Sequence, residues 1–184
     1  MKTLFFVSCI FFLSLEQTYA QSALETEFIK QLNVYRKQHK LGPVKYDFQV
    51  SQIARYHAKY LVQCSNLNHV VHYDKLPHDE QFDIQDHKEL TFEQRSQMLP
   101  NKNIWGEIQI AHNLVNEKNS ISEIVKSMID SFDSSPKHKE IMLCEDLSSE
   151  FTNIVGVAIV KSEKIIGVYY FYSINVDFGV LINK

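Results

Sequence analysis

Two segments near the C-terminus constrain the fold most, because they are apolar at nearly every position. Residues 153–160 and 165–176 have the length and the β-branched and aromatic content of strands, and the polar run 161–164 between them predicts a hairpin loop. A strand that is apolar on both faces belongs to a sheet that is covered on both sides. We therefore expect a sheet that lies between two layers of helices.

Helical periodicity predicts the covering layers. Apolar residues recur at helical spacing in three segments: 23–40, 47–66 and 120–132. A capping box that begins at Thr91 predicts a shorter helix over residues 91–98, and Ser135 followed by Pro136 predicts the start of another. The sequence thus predicts an α+β fold, a three-layer α-β-α sandwich with a small antiparallel sheet between the helices.

One further segment, residues 103–111, alternates like a strand with one polar side. Trp105, Glu107 and Gln109 fall on one side, and mainly isoleucines fall on the other. This pattern places the Glu107 carboxylate beside a large aromatic side chain. A partly desolvated carboxylate favours a cation or a proton donor as its neighbour, and the alternative is a strand glutamate that faces water.

The start of the chain has the organisation of a secretory signal peptide. A basic residue precedes an apolar run over residues 4–15, and small residues at the −3 and −1 positions end at Ala20, which predicts cleavage before Gln21. A membrane anchor is the alternative, but the run is shorter than the roughly 20 residues of a span. We expect residues 1–20 to be removed and residues 21–184 to form a single secreted domain, extracellular or periplasmic.

The charge and hydropathy of the chain restrict the classes of partner that it can bind. With 19 basic and 22 acidic residues the net formal charge is −3, and no basic stripe favours nucleic acid. No second apolar run predicts a transmembrane span.

The mature chain keeps Cys64 and Cys144, and an even pair in an oxidising compartment is expected to form a disulfide. Closing a loop of about 80 residues would stabilise the fold by about 4 kcal/mol.

Three blocks of sequence carry a family resemblance. In chain order they are Leu-Asn-Val-Tyr-Arg (32–36) with Ala-Arg-Tyr-His-Ala (54–58) running to His69, then Gly-Glu-Ile (106–108), then Phe-Asp-Ser-Ser-Pro-Lys-His (132–138). In this order they resemble the CAP superfamily, the cysteine-rich secretory protein and pathogenesis-related-1 group, in its bacterial SCP-domain form. The resemblance covers about residues 25–176, nearly the whole mature chain.

The resemblance implies a ligand site. In that family two histidines and two acidic residues line a central cleft and often hold a divalent metal. The matching positions here are His69, Glu107 and His138, and zinc is favoured because it accepts two histidines, a carboxylate and a water. The second glutamate has no match, since its position falls near Ser135. At the start of a helix the dipole favours the neutral imidazole of His138, which is the form that binds metal.

A second cluster of candidate ligands follows the second predicted helix. His69, His72, Asp74, His78 and Asp79 lie close together in the sequence. They are an alternative metal patch, although polar loops collect such residues by chance.

The resemblance implies a secreted binding module without enzymatic turnover, whose cleft holds a divalent metal or a small-molecule, lipid or protein ligand. Two alternatives are a peptidase-like metal-dependent hydrolase, with Glu107 as ligand or base, and a structural envelope protein with a vestigial cleft. Neither a His-Glu-x-x-His nor a Gly-x-Ser-x-Gly motif is present. Ser134 and Ser135 before Pro136 are typical of a helix cap rather than of a nucleophile, so we expect no catalytic residue.

Overall fold

The computed structural model describes residues 21–68, 83–84, 87–88, 91–99, 102–114, 119–144, 151–166 and 169–182. The predicted signal peptide lies outside the described residues and stays a prediction. None of the helices in these ranges combines the length and the apolar character that crossing a membrane requires. In chain order the elements are α1 (Ala23–Gln38), β1 (Lys45–Tyr46), α2 (Phe48–Asn68), β2 (Asp83–Ile84), β3 (His87–Lys88), α3 (Phe92–Gln97), β4 (Asn103–Leu114), α4 (Ile121–Asp133), α5 (Pro136–Met142), β5 (Phe151–Ile166) and β6 (Tyr169–Ile182).

The main sheet has the strand order β1-β5-β6-β4 and lies between two layers of helices. α1, α4 and α5 pack on one face and α2 packs on the other, which confirms the predicted α+β three-layer sandwich. The sheet is mixed rather than wholly antiparallel, because the two-residue strand β1 joins β5 in parallel, whereas β5, β6 and β4 pair antiparallel. β2 and β3 form a separate antiparallel ribbon, in a stretch where the sequence predicts no strand.

The larger core lies between the sheet and the layer of α1, α4 and α5. α1 contributes Phe28 and Leu32, and α4 contributes Phe132, whose ring meets the Phe28 ring edge-on at 6.1 Å between centroids. Ser22 and Ser120 cap the two helices, and each hydroxyl accepts a hydrogen bond from the backbone N–H three residues later. α1 therefore begins at the predicted residue, and α4 begins one residue after the predicted start because Ser120 is its N-cap.

α2 approaches the other face of the sheet closely because small residues line the contact. Ala54 and Ala58 pack on Ala158 of β5. Gly156 has no Cβ, and one added there would lie 2.7 Å from Val50 Cγ1 and closer still to the α2 backbone. On this face the neighbouring strand β6 carries three fully buried polar residues: Ser173, Asn175 and Asp177.

Side chains protect the edge of β5 beyond the short strand β1. The Val157 N–H donates to Ser51 Oγ at 3.0 Å, and the Ile159 N–H donates to Glu25 Oε1 at 3.2 Å. Glu25 is fully buried and its carboxylate also receives Arg55 Nη2 at 2.5 Å. Because these amides are satisfied within the chain, this part of the edge does not offer an open hydrogen-bonding row.

The connection between the two long strands differs from the prediction. The sequence predicts a loop over residues 161–164, but β5 continues to Ile166 and β6 begins at Tyr169. The register shifts within the polar run, and the ladder resumes with Ile165 opposite Tyr170. The polar run is an irregularity within β5, because the apolar residues after it still pair with β6.

A buried arginine joins α1 to the end of α5. Arg36 is fully buried, and its guanidinium donates to the carbonyl oxygens of Gly42 and Met142 at 2.8 Å and of Cys144 at 3.2 Å. The Cys144 side chain is half-buried, and the Cys64 side chain lies outside the described part of the chain. The disulfide between them stays a prediction.

Candidate functional site

A β-bulge decides which way Glu107 faces. The ladder between β4 and β6 shifts register between Ile104 and Gly106. Trp105 consequently packs with Phe178 on the α1 side of the sheet, with ring centroids 5.9 Å apart, whereas Glu107 faces α2. The prediction that Trp105 and Glu107 share a side is wrong, because strict alternation ends at a bulge.

The nearest charged partner of Glu107 comes from α3. Arg95 Nη2 donates to Glu107 Oε2 at 2.6 Å, and the two side chains are 3% and 13% exposed. α3 begins after a capping box on Thr91, so Arg95 stands one turn into the helix. The chain thus supplies its own cation to this carboxylate.

Glu107 also forms a carboxyl pair with Asp177 across the β4–β6 ladder. The two residues are directly opposite in register, and Asn175 Nδ2 donates to Glu107 Oε2 at 3.2 Å and to Asp177 Oδ1 at 3.5 Å. Burial raises the pKa of Asp177 well above its ordinary value, and the charge of Glu107 raises it further. Burial also acts to raise the pKa of Glu107, but the positive charges of His57 and Arg95 outweigh it and hold that pKa low. The proton of the pair therefore resides on Asp177.

His57 completes this polar cluster from α2. Its side chain is 1% exposed, and Nε2 lies 2.8 Å from Gln109 Oε1 and 4.0 Å from Glu107 Oε1. Helical periodicity places His57 on the buried side of α2 but does not identify its partners. No local pattern in the sequence identifies Arg95 as a site residue. Asp177 has one such signal: a charged residue in an otherwise apolar strand requires a buried partner.

Replacing Asp177 by asparagine is expected to flatten the fall of stability with rising pH. Because the pKa of Asp177 is raised by folding, its contribution is complete below the unfolded value of about 3.9 and is lost as the pH rises towards the folded value. Within that window the free energy of unfolding of the wild type should fall by up to about 1.4 kcal/mol per pH unit. Urea unfolding from about pH 5 to about pH 9 measures the slope.

The contribution of Glu107 to the free energy of unfolding changes with pH in the opposite direction. Its pKa is lowered by folding, so its contribution is present above the unfolded value of about 4.3 and is lost as the pH falls. Above about pH 5 Glu107 is largely ionised in both states and adds little slope, and His138 contributes equally to both proteins, so the difference in slope between the wild type and the variant reports Asp177. An Asp177→Asn variant with the slope of the wild type would contradict the assignment of the proton.

His138 lies in α5, on the α1 side of the sheet. Its ring meets the Phe132 ring edge-on at 5.4 Å, and its Nδ1 atom is buried with no hydrogen-bond partner among the described residues. Burial lowers the pKa of the imidazole, so the cause of its neutral form is desolvation. Ser135 is the N-cap residue of α5, but its side chain makes no capping hydrogen bond.

The imidazole of His138 is expected to titrate below the ordinary histidine value of 6.5. The unfolded histidine takes up its proton first as the pH falls, so the contribution of His138 to stability is present above that value and declines below it. An NMR titration of the ring protons measures the midpoint, and a His138→Ala variant identifies the signal. A midpoint at or above 6.5 would show that burial does not control this histidine.

The predicted zinc ligands are only partly within the described residues. His69, and with it the second candidate cluster that extends to Asp79, lies outside them. In the ranges that the structure describes, no group of three or more His, Cys, Asp and Glu side chains could hold a metal ion. The set His69, Glu107 and His138 therefore stays a prediction.

Residues 29–175 match the sequence model of the cysteine-rich secretory protein family, CAP. No curated protein matches the chain. Among solved structures the chain is similar to an outer surface protein from Borrelia burgdorferi, with 15% identity and a TM-score of 0.53 over 87% of this chain and 93% of that chain. It is also similar to an extracellular protein containing an SCP domain from Bacillus anthracis str. Ames, with 17% identity and a TM-score of 0.42 over 86% of this chain and 40% of that chain.

Proposed function

The chain belongs to the cysteine-rich secretory protein family, and on that basis we propose that it is an extracellular binding module without enzymatic turnover. The polar cluster around Glu107 supports this proposal, because the chain itself engages the groups that a reaction would need. Glu107 accepts from Arg95 and Asn175, and His57 Nε2 is in hydrogen-bond contact with Gln109. A general base or a ligand of a catalytic metal has to be open to substrate or water instead.

The burial of the side chains in this cluster also supports a binding module without turnover. The side chains of His57 and Arg95 are 1% and 3% exposed, and Asp177 is fully buried. A small-molecule site presents a few polar groups to a concave opening, whereas these groups face one another. The cluster therefore organises the contact of α2 and α3 with the sheet, and ligand recognition falls to other surfaces or requires a rearrangement.

A resident divalent metal at Glu107 does not fit the groups that surround it. Arg95 brings a positive charge within 2.6 Å of the carboxylate, and Asn175 donates to the same oxygen atom. A metal ion would have to displace this guanidinium or bear its repulsion. The ligand of the module is accordingly sought among small molecules, lipids and proteins.

Zinc binding is the second candidate, and the observation that favours it is the state of His138. Its imidazole is held neutral by burial, and Nδ1 has no partner among the described residues. A neutral imidazole is the form that binds zinc. In this candidate His69, Glu107 and His138 would hold the ion. Because Glu107 faces α2 whereas His138 lies on the α1 side of the sheet, one ion could bind both only after Arg95 leaves Glu107 and β4 or α5 rearranges. The hydrolase hypothesis depends on the same ion.

A calorimetric zinc titration of the mature, oxidised protein separates the two candidates. The variants are Glu107→Gln and the double substitution His69→Ala/His138→Ala, and each is also assayed for zinc-dependent hydrolysis of casein and of an ester substrate. We expect no stoichiometric zinc binding that depends on Glu107 and no turnover. Zinc-dependent turnover that Glu107→Gln abolishes in a folded protein would contradict the proposal and establish a hydrolase.

Export is part of the proposal. The signal-peptide pattern predicts cleavage before Gln21, and Ser22 immediately after it is the N-cap of α1, so the mature chain would begin at the first helix. Mass spectrometry of protein recovered from the cell exterior is expected to find Gln21 as the first residue. A chain that stays inside the cell and still begins at Met1 would contradict export.

A further inference from the structure

α3 is a short helix that covers an acidic site. It spans Phe92–Gln97, and a helix shorter than about 12 residues is not stable alone in water. Phe92 and Leu99 pack against a small apolar cluster between α2 and the sheet, whereas Met98 is 56% exposed. Among the residues that the structure describes this apolar contact is small, so the position of α3 depends strongly on the inserted side chain of Arg95.

The site beneath α3 offers more hydrogen-bond acceptors than Arg95 fills. Arg95 Nη2 reaches the nearest acceptor, Glu107 Oε2. Beyond it, Asn175 Oδ1 is buried and has no hydrogen-bond partner among the described residues, whereas Asp177 holds the proton of the carboxyl pair and shares it with Glu107. Both residues are fully buried, and a buried acceptor without a donor is costly. The site therefore favours an occupant that brings a positive charge to Glu107 and a further donor to Asn175 Oδ1.

A guanidinium group is the cation that suits this site best. It carries five N–H donors in a plane and binds carboxylates through two parallel hydrogen bonds, whereas an ammonium has three donors and holds its hydration water more tightly. Arg95 demonstrates that a guanidinium reaches Glu107 from the α3 side. The unfilled acceptor Asn175 Oδ1 leaves a donor of a better-placed guanidinium something to bind.

We propose that this is an arginine-binding site, that α3 fills it with Arg95 as an internal ligand, and that an arginine side chain of a partner protein binds there when α3 is displaced. The inference rests on the proposed function, since only a binding module has a partner that would displace α3. Because the internal ligand is tethered, its effective concentration is high, and a free arginine compound competes weakly. A partner must therefore add contacts of its own, for which the apolar side chains under α3 are available.

Removal of the internal ligand tests the site directly. The full mature chain carrying Arg95→Ala is titrated with methylguanidinium, and the melting temperature is recorded. We expect the variant to melt below the wild type and methylguanidinium to restore a saturable rise of about 5–10 °C at a hundredfold excess over its dissociation constant. Methylammonium should restore much less, and the wild type should show no saturable rise.

Three further variants control the measurement. Arg95→Ala/Glu107→Gln lacks the carboxylate and should show no saturable rise. Arg95→Met keeps an apolar side chain in the space and should fold without responding. Arg55→Ala opens the other buried arginine–carboxylate pair, in which Glu25 already receives the amides of Ser22 and Ile159, so no comparable rescue is expected there.

The outcomes are decisive for the site. If Arg95→Ala is unfolded, recovery of its near-ultraviolet circular dichroism with methylguanidinium is the same test. A folded Arg95→Ala without a saturable response, an unfolded one without recovery, or an equal response in the Glu107→Gln double variant would overturn the proposal. None of these results depends on the turnover assay, so failure here is distinct from failure of the proposed function.

Displacement of α3 in the wild type is tested by hydrogen exchange. Tri-arginine peptide at saturating concentration should speed the exchange of the amides of residues 92–97, while tri-lysine peptide should not. The amides of α4, which is on the other face of the sheet, serve as the internal reference. Unchanged exchange in α3 would overturn the displacement step, and an equal effect of tri-lysine would overturn the preference for guanidinium.

Discussion

Replacing Gly156 by alanine is expected to destabilise the protein by more than about 3 kcal/mol, at or beyond the upper end of ordinary overpacking. The reason is that α2 packs directly on β5 at this position. An added Cβ would lie 2.7 Å from Val50 Cγ1 and closer still to the Val50 carbonyl carbon and the Ser51 amide nitrogen. Backbone atoms cannot rotate away, so the whole of α2 would have to shift. Urea unfolding with a fixed m-value measures the loss.

Gly106→Ala is the matched control for this substitution. A Cβ at Gly106 would lie 3.1 Å from Ile141 Cγ2, which belongs to a side chain that can adjust by a few tenths of an ångström. We therefore expect a loss below about 1.5 kcal/mol there. Equal losses at Gly156 and Gly106 would show that α2 is not held against β5 as closely as the geometry indicates.

The second large effect is expected for Glu107→Gln, with a loss of about 3 kcal/mol in the free energy of unfolding. The substitution keeps the shape of the side chain but leaves the buried guanidinium of Arg95 facing a neutral amide. It also removes the charge that opposes ionisation of Asp177, so a loss well below this value would show that Asp177 ionises and compensates Arg95 instead. Because both side chains are largely buried, solvent compensates little for the lost charge. Chemical denaturation at neutral pH measures the change.

Two controls test whether the effect comes from burial of the pair. The double variant Arg95→Met/Glu107→Leu replaces both charges by apolar groups and should be more stable than Glu107→Gln alone. Lys126→Ala breaks the ion pair with Asp130, whose side chains are 69% and 61% exposed, and should produce no measurable change. A double variant less stable than Glu107→Gln would indicate that the pair contributes through its hydrogen bonds rather than through charge compensation.

These predictions concern two of the contacts that attach α2 and α3 to the sheet. The Gly156 contact is steric and brings the α2 backbone onto β5, while the Arg95–Glu107 contact is electrostatic and brings α3 over β4. A family scaffold of this kind supports many ligands, because the ligand is chosen by side chains on a common fold. In this chain the acidic side chain that the family resemblance assigns to metal is held by an arginine of the chain itself.

Local patterns predict much of the architecture. The helices that begin at Ala23 and Ile121 follow from apolar stripes and serine caps, which act over a few residues. The turn between β5 and β6 is misplaced in the prediction, since a polar run looks like a loop although the strand continues to Ile166. Whether an interrupted strand resumes depends on the register with its partner, which no local pattern contains.

In the candidate site, too, the sequence identifies some residues, but only the folded structure brings them into contact. Family motifs identify Glu107 and His138 as notable positions, and periodicity buries His57. The sequence does not connect Glu107 to Arg95 or to Asn175, which is 68 positions away in the chain. Those contacts depend on the β4–β6 register and on the docking of α3.

The layers of this protein follow from its sequence alone, because a strand that is apolar on both faces must be covered on both faces. The chemistry of the α2 face depends instead on the folded arrangement. A single bulge at Trp105 turns that ring away from Glu107, and the strand register then places Asp177 opposite the carboxylate. The charge of a buried group is set by its neighbours in space, and those neighbours come from α2, α3 and β6 together.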